Sequence, residues 1–215
     1  MKTVDLTHLI TPHIPVYPGC RPPVFSPATT LEQDGFRETR LSFDSHTGTH
    51  MDAPAHLLPD GPSLDTLPVG QFAGPAVVID CVAVPPGGRI TLSHLAPYEA
   101  ALRGAEFVLF HTGWDRRFYD ASYYKDFPTP ERAVAERLVQ MGMKGVGIDA
   151  ISIDPVDTKT YQNHRVLLEG GLVIVENLTR LEQVGDACFF CALPLLYEQS
   201  DGAPVRAVAF LEDAS

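Results

Sequence analysis

The chain has 215 residues and a formal net charge of −11, with 27 acidic against 16 basic side chains. Nucleic acids and anionic membranes require a basic surface, so this charge argues against both as partners. Hydrophobic residues make up 45% of the chain, which excludes intrinsic disorder. The length predicts a single domain over residues 1–215. No apolar stretch reaches the roughly 18 residues of a membrane span, and no signal peptide is recognisable, so we expect a cytoplasmic protein.

The first half of the chain reads as short strands separated by proline-rich loops. The elements predicted there are a strand over 3–6, a hairpin of 29–32 and 36–43 around Asp34-Gly35, a strand over 75–84, a helix over 91–103 and a strand over 106–111. The run over 75–84 is almost continuously apolar, which indicates a strand buried on both faces.

The second half alternates predicted strands and helices. The elements are a helix over 129–141, a strand over 145–149, a helix from 159 to Gly170, a strand over 172–176, and strands over 187–193 and 205–211 with a turn at Asp201-Gly202. Thr129-Pro130-Glu131 has the composition of a helix start. Cys188 and Cys191 lie in an apolar run without a second C-x-x-C, so we interpret them as part of a buried strand. The whole pattern predicts an α/β domain with a mixed sheet.

One short stretch holds His46, His50, Asp52 and His56 in an H-x3-H-x-D-x3-H pattern. In an extended chain, His46 and His50 would lie about 13 Å apart, whereas two nitrogens on one zinc ion lie within about 4 Å of each other. The chain must therefore bend between them, and Gly48 is where it can bend. Three histidines and an aspartate so close together indicate a metal site. The alternative is a loop of solvent-exposed histidines.

This stretch resembles the metal-dependent cyclase family, which includes bacterial kynurenine formamidases and isatin hydrolases. Residues 46–56 match its H-x-G-T-H-x-D-x-P-x-H motif. Further similar segments lie at 112–114 (T-G-W), 147–154, 164–168, 176–178 (E-N-L), 192–195 and 201–207. The resemblance covers nearly the whole chain. It implies a swivelling β/β/α fold, often found as a homodimer, and we expect a homodimer or a higher homo-oligomer.

The resemblance also implies the metal ligands. His46, His50 and Asp52 would hold a first ion, and Asp52 would bridge to a second ion held also by His164 and Glu176. Glu176 ends an apolar predicted strand, where a buried carboxylate needs a partner. A salt bridge to a residue such as Arg180 is the alternative for Glu176, and a position on the helix surface is the alternative for His164.

Two further residues take their roles from the same resemblance. His56 is the expected catalytic acid/base. Tyr17 aligns with a tryptophan that contacts the substrate in kynurenine formamidases, and it offers a smaller stacking face with a hydroxyl group. Asp149 and Asp154 are interpreted as supporting residues, and Trp114 fits the core or the pocket equally well.

The predicted function is hydrolysis of a carbon–nitrogen amide bond in a small molecule, as in arylformamidases. A metal would lower the pKa of a bound water, and His56 would transfer a proton to the leaving nitrogen. With no thiolate among the ligands, Zn²⁺ is favoured and Mn²⁺ also fits, with one or two ions per chain. The alternatives are hydrolysis of a cyclic imide, a lactam such as isatin or a lactone, and a metal-binding protein without turnover.

Overall fold

Strands dominate the fold, which a computed structural model describes for residues 1–212. The strands are β1 (Lys2–Asp5), β2 (Val24–Thr29), β3 (Glu38–Ser42), β4 (His50–Asp52), β5 (Ala73–Asp80), β6 (Arg89–Ile90), β7 (Phe107–His111), β8 (Thr129–Pro130), β9 (Gly145–Ile148), β10 (Val173–Glu176), β11 (Ala187–Pro194) and β12 (Gly202–Leu211). The α-helices are α1 (Leu31–Asp34), α2 (Leu92–Leu95), α3 (Glu99–Leu102), α4 (Arg132–Gln140) and α5 (Gln162–Glu169). Within residues 1–212, no helix combines the length and apolar character needed to cross a bilayer.

The main sheet closes on itself. Its order is β1-β12-β11-β5-β7-β9-β10-β4, and β4 also pairs with β12, which completes a barrel-like ring. Strands β5, β7, β9 and β10 run parallel to one another, whereas all other pairings in this sheet, including β11 with β5 and β4 with β10, are antiparallel. The predicted mixed sheet of an α/β domain is therefore confirmed.

Two apolar clusters lie on opposite faces of this sheet. In β5, Ala76 and Val78 belong to the cluster enclosed by the ring, whereas Val77 and Ile79 belong to the cluster under the helices, with residues such as Leu167. Successive side chains of a strand point to opposite faces, so β5 is buried on both, as predicted. The parallel strands thus need helices on their outer face.

The same alternation decides where the histidine stretch lies. In the antiparallel pair of β4 and β10, His50 lies opposite Glu176 and Asp52 opposite Ile174. Ile174 belongs to the helix-covered cluster and Met51 to the ring interior. Side chains directly opposite each other share a face. His50, Asp52 and Glu176 therefore lie together on the outer face, towards α5.

The predicted hairpin forms, but its first arm lies earlier in the chain. Strand β2 pairs with β3 and ends at Thr29, so the second half of the predicted arm at 29–32 lies in α1. The Thr30 side chain accepts a hydrogen bond from the Gln33 N–H, and Gly35 ends the helix with φ +76°. These two caps stabilise a helical turn where the pattern predicted a strand.

One predicted helix is divided into shorter pieces, and two others begin later than predicted. The helix over 91–103 is divided into α2, a 3₁₀ turn (Ala96–Tyr98) and α3, because Pro97 interrupts the backbone hydrogen bonds. Thr129 and Pro130 pair with β6 rather than start the next helix, which begins at Arg132. Helix α5 begins at Gln162 rather than near 159, after Tyr161 in the left-handed conformation.

Cys188 and Cys191 lie in β11, so the strand prediction is confirmed for both. Its burial is one-sided: Phe190 and Ala192 are buried, whereas Phe189 and Leu193 are about half exposed. The strand predicted to be buried is therefore buried on one face only. The turn predicted at Asp201-Gly202 is also shifted, since Gly202 already pairs with Asp52 as the first residue of β12.

Candidate metal centre

The chain bends at Gly48, as predicted from the spacing of the histidines. Gly48 has φ +66°, and its carbonyl lies 2.9 Å from both His50 Nδ1 and Asn177 Nδ2. The Thr49 hydroxyl donates to the Asn177 carbonyl at 2.6 Å. These bonds hold the bend against the end of β10. Ring centroids of His46 and His50 lie only 5.0 Å apart as a result.

Helix α5 brings His164 to the same place. The Asp154 carboxylate accepts hydrogen bonds from the backbone N–H groups of Asn163 and His164 in the first turn of the helix. It also lies 2.8 Å from His164 Nδ1. The buried His164 side chain therefore points inward, and the surface alternative for this residue is wrong.

Asp52 lies at the centre of the cluster. Its Oδ1 is 2.7 Å from His46 Nδ1 and 3.3 Å from His50 Nε2. Its Oδ2 is 3.6 Å from His164 Nε2, which is in turn 3.3 Å from Glu176 Oε1. Two groups of possible ligands therefore share Asp52. We call them the first position (His46, His50, Asp52) and the second position (Asp52, His164, Glu176).

The outer nitrogen of each histidine already has a partner. His46 Nε2 lies 3.0 Å from Asp201 Oδ2, His50 Nδ1 lies 2.9 Å from the Gly48 carbonyl, and His164 Nδ1 lies 2.8 Å from Asp154 Oδ2. Metal-ligating histidines typically donate their second ring N–H in this way. The inner nitrogens are then free to bind a cation.

A buried oxygen without a partner supports the same assignment. Asp52 Oδ2 is fully buried and has no hydrogen-bond partner within residues 1–212. A buried carboxylate oxygen in that state is costly unless a cation satisfies it. The set of nitrogen and carboxylate ligands thus fits one or two divalent ions.

The cluster strongly favours positive charge. Burial lowers the pKa of His46, but the Asp52 and Asp201 carboxylates outweigh it and raise that pKa to about 10. His164 behaves alike: burial lowers its pKa, and Asp154 and Glu176 raise it to about 10. Burial raises the pKa of Asp52, while His46 and His50 bring it well below its usual value. Protons and metal ions compete for the same nitrogens here.

His56 lies at the edge of the cluster, at the end of the 3₁₀ turn Pro54–His56. Its ring centroid is 4.1 Å from that of His46 and 6.2 Å from that of His164. Its Nδ1 lies 3.8 Å from Asp201 Oδ2, and its side chain is 31% exposed. Burial lowers the pKa of His56, which favours the neutral imidazole.

The cluster opens into a cavity of about 280 Å³. Its walls away from the cluster are mainly apolar and include Pro15, Tyr17, Leu57, Ile151 and Tyr161. The Tyr17 hydroxyl donates to the Val156 carbonyl at 3.1 Å, which fixes the ring beside the cavity. Burial raises the pKa of Tyr17 to about 12, so the hydroxyl stays protonated.

Asp149 lies in a supporting position, as expected from the sequence, and the structure decides between the two alternatives for Trp114. Asp149 accepts hydrogen bonds from Thr112 and Gly113, away from the ligands. Trp114 is in the core rather than the pocket, with its indole N–H on the Tyr123 carbonyl.

Glu176 accepts a hydrogen bond from the Ile153 N–H at 2.7 Å. Arg180, its alternative partner, lies instead 3.6 Å from Asp5. The salt bridge between Glu176 and Arg180 is therefore not formed.

Sequence reasoning missed Asp201. It was interpreted as a turn residue, although its carboxylate reaches both His46 and His56. The available signal was its place in the D-G-x-P-x-R segment at 201–206, an acidic residue just before a strand.

Comparison with known proteins identifies the family of the chain. Residues 4–155 match the family model of the Cyclase family. Kynurenine formamidase from Bacillus cereus is 32% identical over 213 residues, covering 97% of this chain and 98% of the relative. Isatin hydrolase A from Labrenzia aggregata has a TM-score of 0.88 at 27% identity, covering 99% of this chain and 94% of the other. A predicted metal-dependent hydrolase from Bacillus stearothermophilus has a TM-score of 0.79 at 31% identity, covering 97% of both chains. The chain belongs to the Cyclase family.

Proposed function

We propose that this protein is a metal-dependent hydrolase that cleaves a carbon–nitrogen amide bond in a small molecule. The observation that carries the proposal is the cluster around Asp52, in which each histidine directs one nitrogen inward and has a partner for the other. Similarity to proteins named kynurenine formamidase and isatin hydrolase supports the same class of reaction.

His46, His50 and Asp52 would hold a first divalent ion, and Asp52, His164 and Glu176 a second. The ligand set of imidazoles and carboxylates favours Zn²⁺ and also suits Mn²⁺. When bound, such an ion supplies a Lewis acid for the carbonyl group and a water of lowered pKa.

Side chains of the protein would transfer the proton and position the substrate. His56 is near the ligands but makes no contact with Asp52 or Glu176 within 4.0 Å among the described residues, so it is available for proton transfer. We assign it the delivery of a proton to the leaving nitrogen. The apolar walls around Tyr17 would exclude water from the amide and pack against an aromatic ring.

The cavity supports a small, uncharged aromatic substrate. Its volume of about 280 Å³ is at the lower end of ligand pockets, which span roughly 300–1,000 Å³. Among the described residues, no lysine or arginine lines it, so a charged amino-acid group would find no cationic partner there. A formylated aniline such as formanilide should therefore be a better substrate than N-formylkynurenine.

Ring opening of a cyclic amide is the second candidate. The TM-score of 0.88 to an isatin hydrolase favours it, since a planar bicyclic ring also suits an apolar cavity of this size. Both reactions use the same groups and differ in the shape of the substrate.

Turnover by the Zn²⁺- and Mn²⁺-loaded protein on formanilide, N-formylkynurenine, isatin and a simple lactone tests the proposal. We expect hydrolysis of at least one amide, lost on chelation and restored by metal. Metal binding without turnover of any of the four would favour the non-catalytic alternative. Faster hydrolysis of N-formylkynurenine than of formanilide would refute the proposed preference for an uncharged substrate.

We further propose a homodimer. The hairpin of β2 and β3 is exposed along most of its length, and Val24, Leu31, Phe36 and Leu41 are each more than half exposed. An isolated two-stranded hairpin is only marginally stable in water, so a second copy would be expected to cover it. A monomer in sedimentation at micromolar concentration would contradict this.

The single domain over residues 1–215 and the cytoplasmic location stay predictions.

A further inference from the structure

Asp201 is placed between two histidines that the proposed mechanism uses for different tasks. Its Oδ2 lies 3.0 Å from His46 Nε2 and 3.8 Å from His56 Nδ1. The Ser45 hydroxyl donates to the same oxygen at 3.4 Å, and the Tyr197 hydroxyl to Oδ1 at 3.5 Å. One carboxylate therefore contacts both a predicted ligand and the predicted acid/base.

Backbone hydrogen bonds to the sheet and to the neighbouring loop fix the position of Asp201. The Asp201 carbonyl accepts a hydrogen bond from the Ala53 N–H at 2.9 Å, and the next residue, Gly202, pairs with Asp52. The preceding residue, Ser200, is fully buried, and its carbonyl accepts from the Leu64 N–H. The backbone of Asp201 is thus anchored to the strand that carries the ligands.

Both nitrogens of the His46 ring face carboxylates, Nδ1 facing Asp52 at 2.7 Å and Nε2 facing Asp201 at 3.0 Å. A cation at the first position would replace the proton on Nδ1. The proton on Nε2 would then stay shared with Asp201. A carboxylate on the outer nitrogen also makes the imidazole a better ligand.

The proximity of Asp201 to His56 would also determine which ring nitrogen carries the proton. A neutral imidazole carries its proton on one nitrogen and offers the other as an acceptor. The 3.8 Å between His56 Nδ1 and Asp201 Oδ2 is longer than a hydrogen bond, so a small approach of the ring would direct Nδ1–H to Asp201 and leave Nε2 to exchange protons in the cavity.

We propose that Asp201 is the positioning residue of the site: it holds His46 as an Nδ1 ligand of the first position and orients His56 with Nε2 toward the cavity. This inference rests on the proposed function. In this role the carboxylate would act through the two rings.

Zn²⁺ binding tests the His46 part without any substrate. Competition with a chromophoric chelator should show that Asp201→Ala raises the Kd of the first position by about 10–100-fold. Asp201→Asn keeps an acceptor and should fall between Asp201→Ala and the wild type. Asp65→Ala is the matched control, because Asp65 contacts Ser200 in the same loop and neither histidine.

The ring nitrogens of His46 give a readout that loss of packing would not produce. In ¹⁵N spectra of the Zn²⁺-loaded wild type we expect a ligated Nδ1 and a protonated Nε2, and a changed or mixed pattern in Asp201→Ala. An unchanged pattern in Asp201→Ala, or equal Zn²⁺ affinity in Asp201→Ala and Asp65→Ala, would overturn the assignment.

The His56 part is measured at saturating Zn²⁺ on the best substrate of the panel above. Asp201→Ala should lower kcat by at least about 10-fold and leave KM within about twofold, since the group it orients transfers a proton. An unchanged kcat would refute this half. If the wild type turns over no substrate, the proposed function fails, while the Zn²⁺ comparison still decides the role at His46.

Discussion

Substitution of Gly202 by alanine would test whether His46 must occupy its observed position. A Cβ at residue 202 would lie 2.4 Å from His46 Cε1 and 2.7 Å from Nε2. Ordinary contacts of a Cβ begin at 3.4 Å, so the ring must move by about 1.0 Å (3.4 minus 2.4). Metal–ligand distances tolerate only about 0.2 Å. Because φ at Gly202 is not in the left-handed region, alanine fits the backbone and the strain falls on the imidazole.

The expected result separates ligand displacement from unfolding. Overpacking typically costs about 1–3 kcal/mol, which for a chain of this length lowers Tm by about 2–4 °C per kcal/mol. Gly202→Ala should therefore stay folded in thermal unfolding, while chelator competition shows Zn²⁺ affinity at the first position reduced by at least about 10-fold.

Gly104→Ala is the control, because a Cβ there meets nothing within 4 Å among residues 1–212. If Gly202→Ala and Gly104→Ala bind Zn²⁺ equally well, His46 is not a ligand in the observed position.

Four further substitutions test other parts of the molecule. Asp52→Asn should lower metal content per chain and activity together by elemental analysis and assay, and full retention of metal would refute the bridging role. His56→Ala should keep its metal and lose about 10²–10⁴-fold in kcat; loss of metal would make it a ligand instead. Asp149→Asn should lower the free energy of unfolding in urea by about 1–3 kcal/mol, because an amide NH₂ would face the N–H donors of Thr112 and Gly113; an unchanged midpoint would contradict this. Burial against Phe118 lowers the pKa of His8 to about 4 from 6.5, so the unfolded chain binds more protons between these values. The contribution of His8 to stability is therefore complete above pH 6.5 and is lost as the pH falls toward 4. His8→Phe should make the free energy of unfolding depend less steeply on pH in this range. An equal pH dependence in the variant and the wild type would refute the assignment.

The sequence alone was sufficient to predict the backbone conformation where that conformation depends on a short stretch of residues. The apolar run over 75–84 predicted a strand buried on both faces, and β5 is buried in this way because every second side chain enters the same cluster. Its bounds are Ala73–Asp80, so the predicted end at 84 is wrong. The bend at Gly48 was predicted from distance alone, since two nearby histidines with a glycine between them cannot meet in an extended chain.

Boundaries between elements depended on partners far away in the chain. Thr129-Pro130-Glu131 has the composition of a helix start, but Thr129 and Pro130 pair with Arg89 and Ile90. Hydrogen bonds to a neighbouring strand outweighed the local preference for a cap. Strand β11 likewise reads as a buried strand, but only one of its faces is buried: Phe190 and Ala192 are buried, whereas Phe189 and Leu193 are about half exposed.

The sequence by itself determined which residue types and what backbone bend the site would have. His46, His50 and Asp52 lie close in the chain, so their spacing alone predicted a metal site with a bend at Gly48. The partners of these residues were decided by the tertiary structure: the register of β10 brings Glu176 opposite His50, and that of β12 brings Asp201 within reach of His46. A ligand set drawn from residues more than 100 positions apart depends on strand pairing, and strand pairing is settled by burial of whole faces rather than by local sequence.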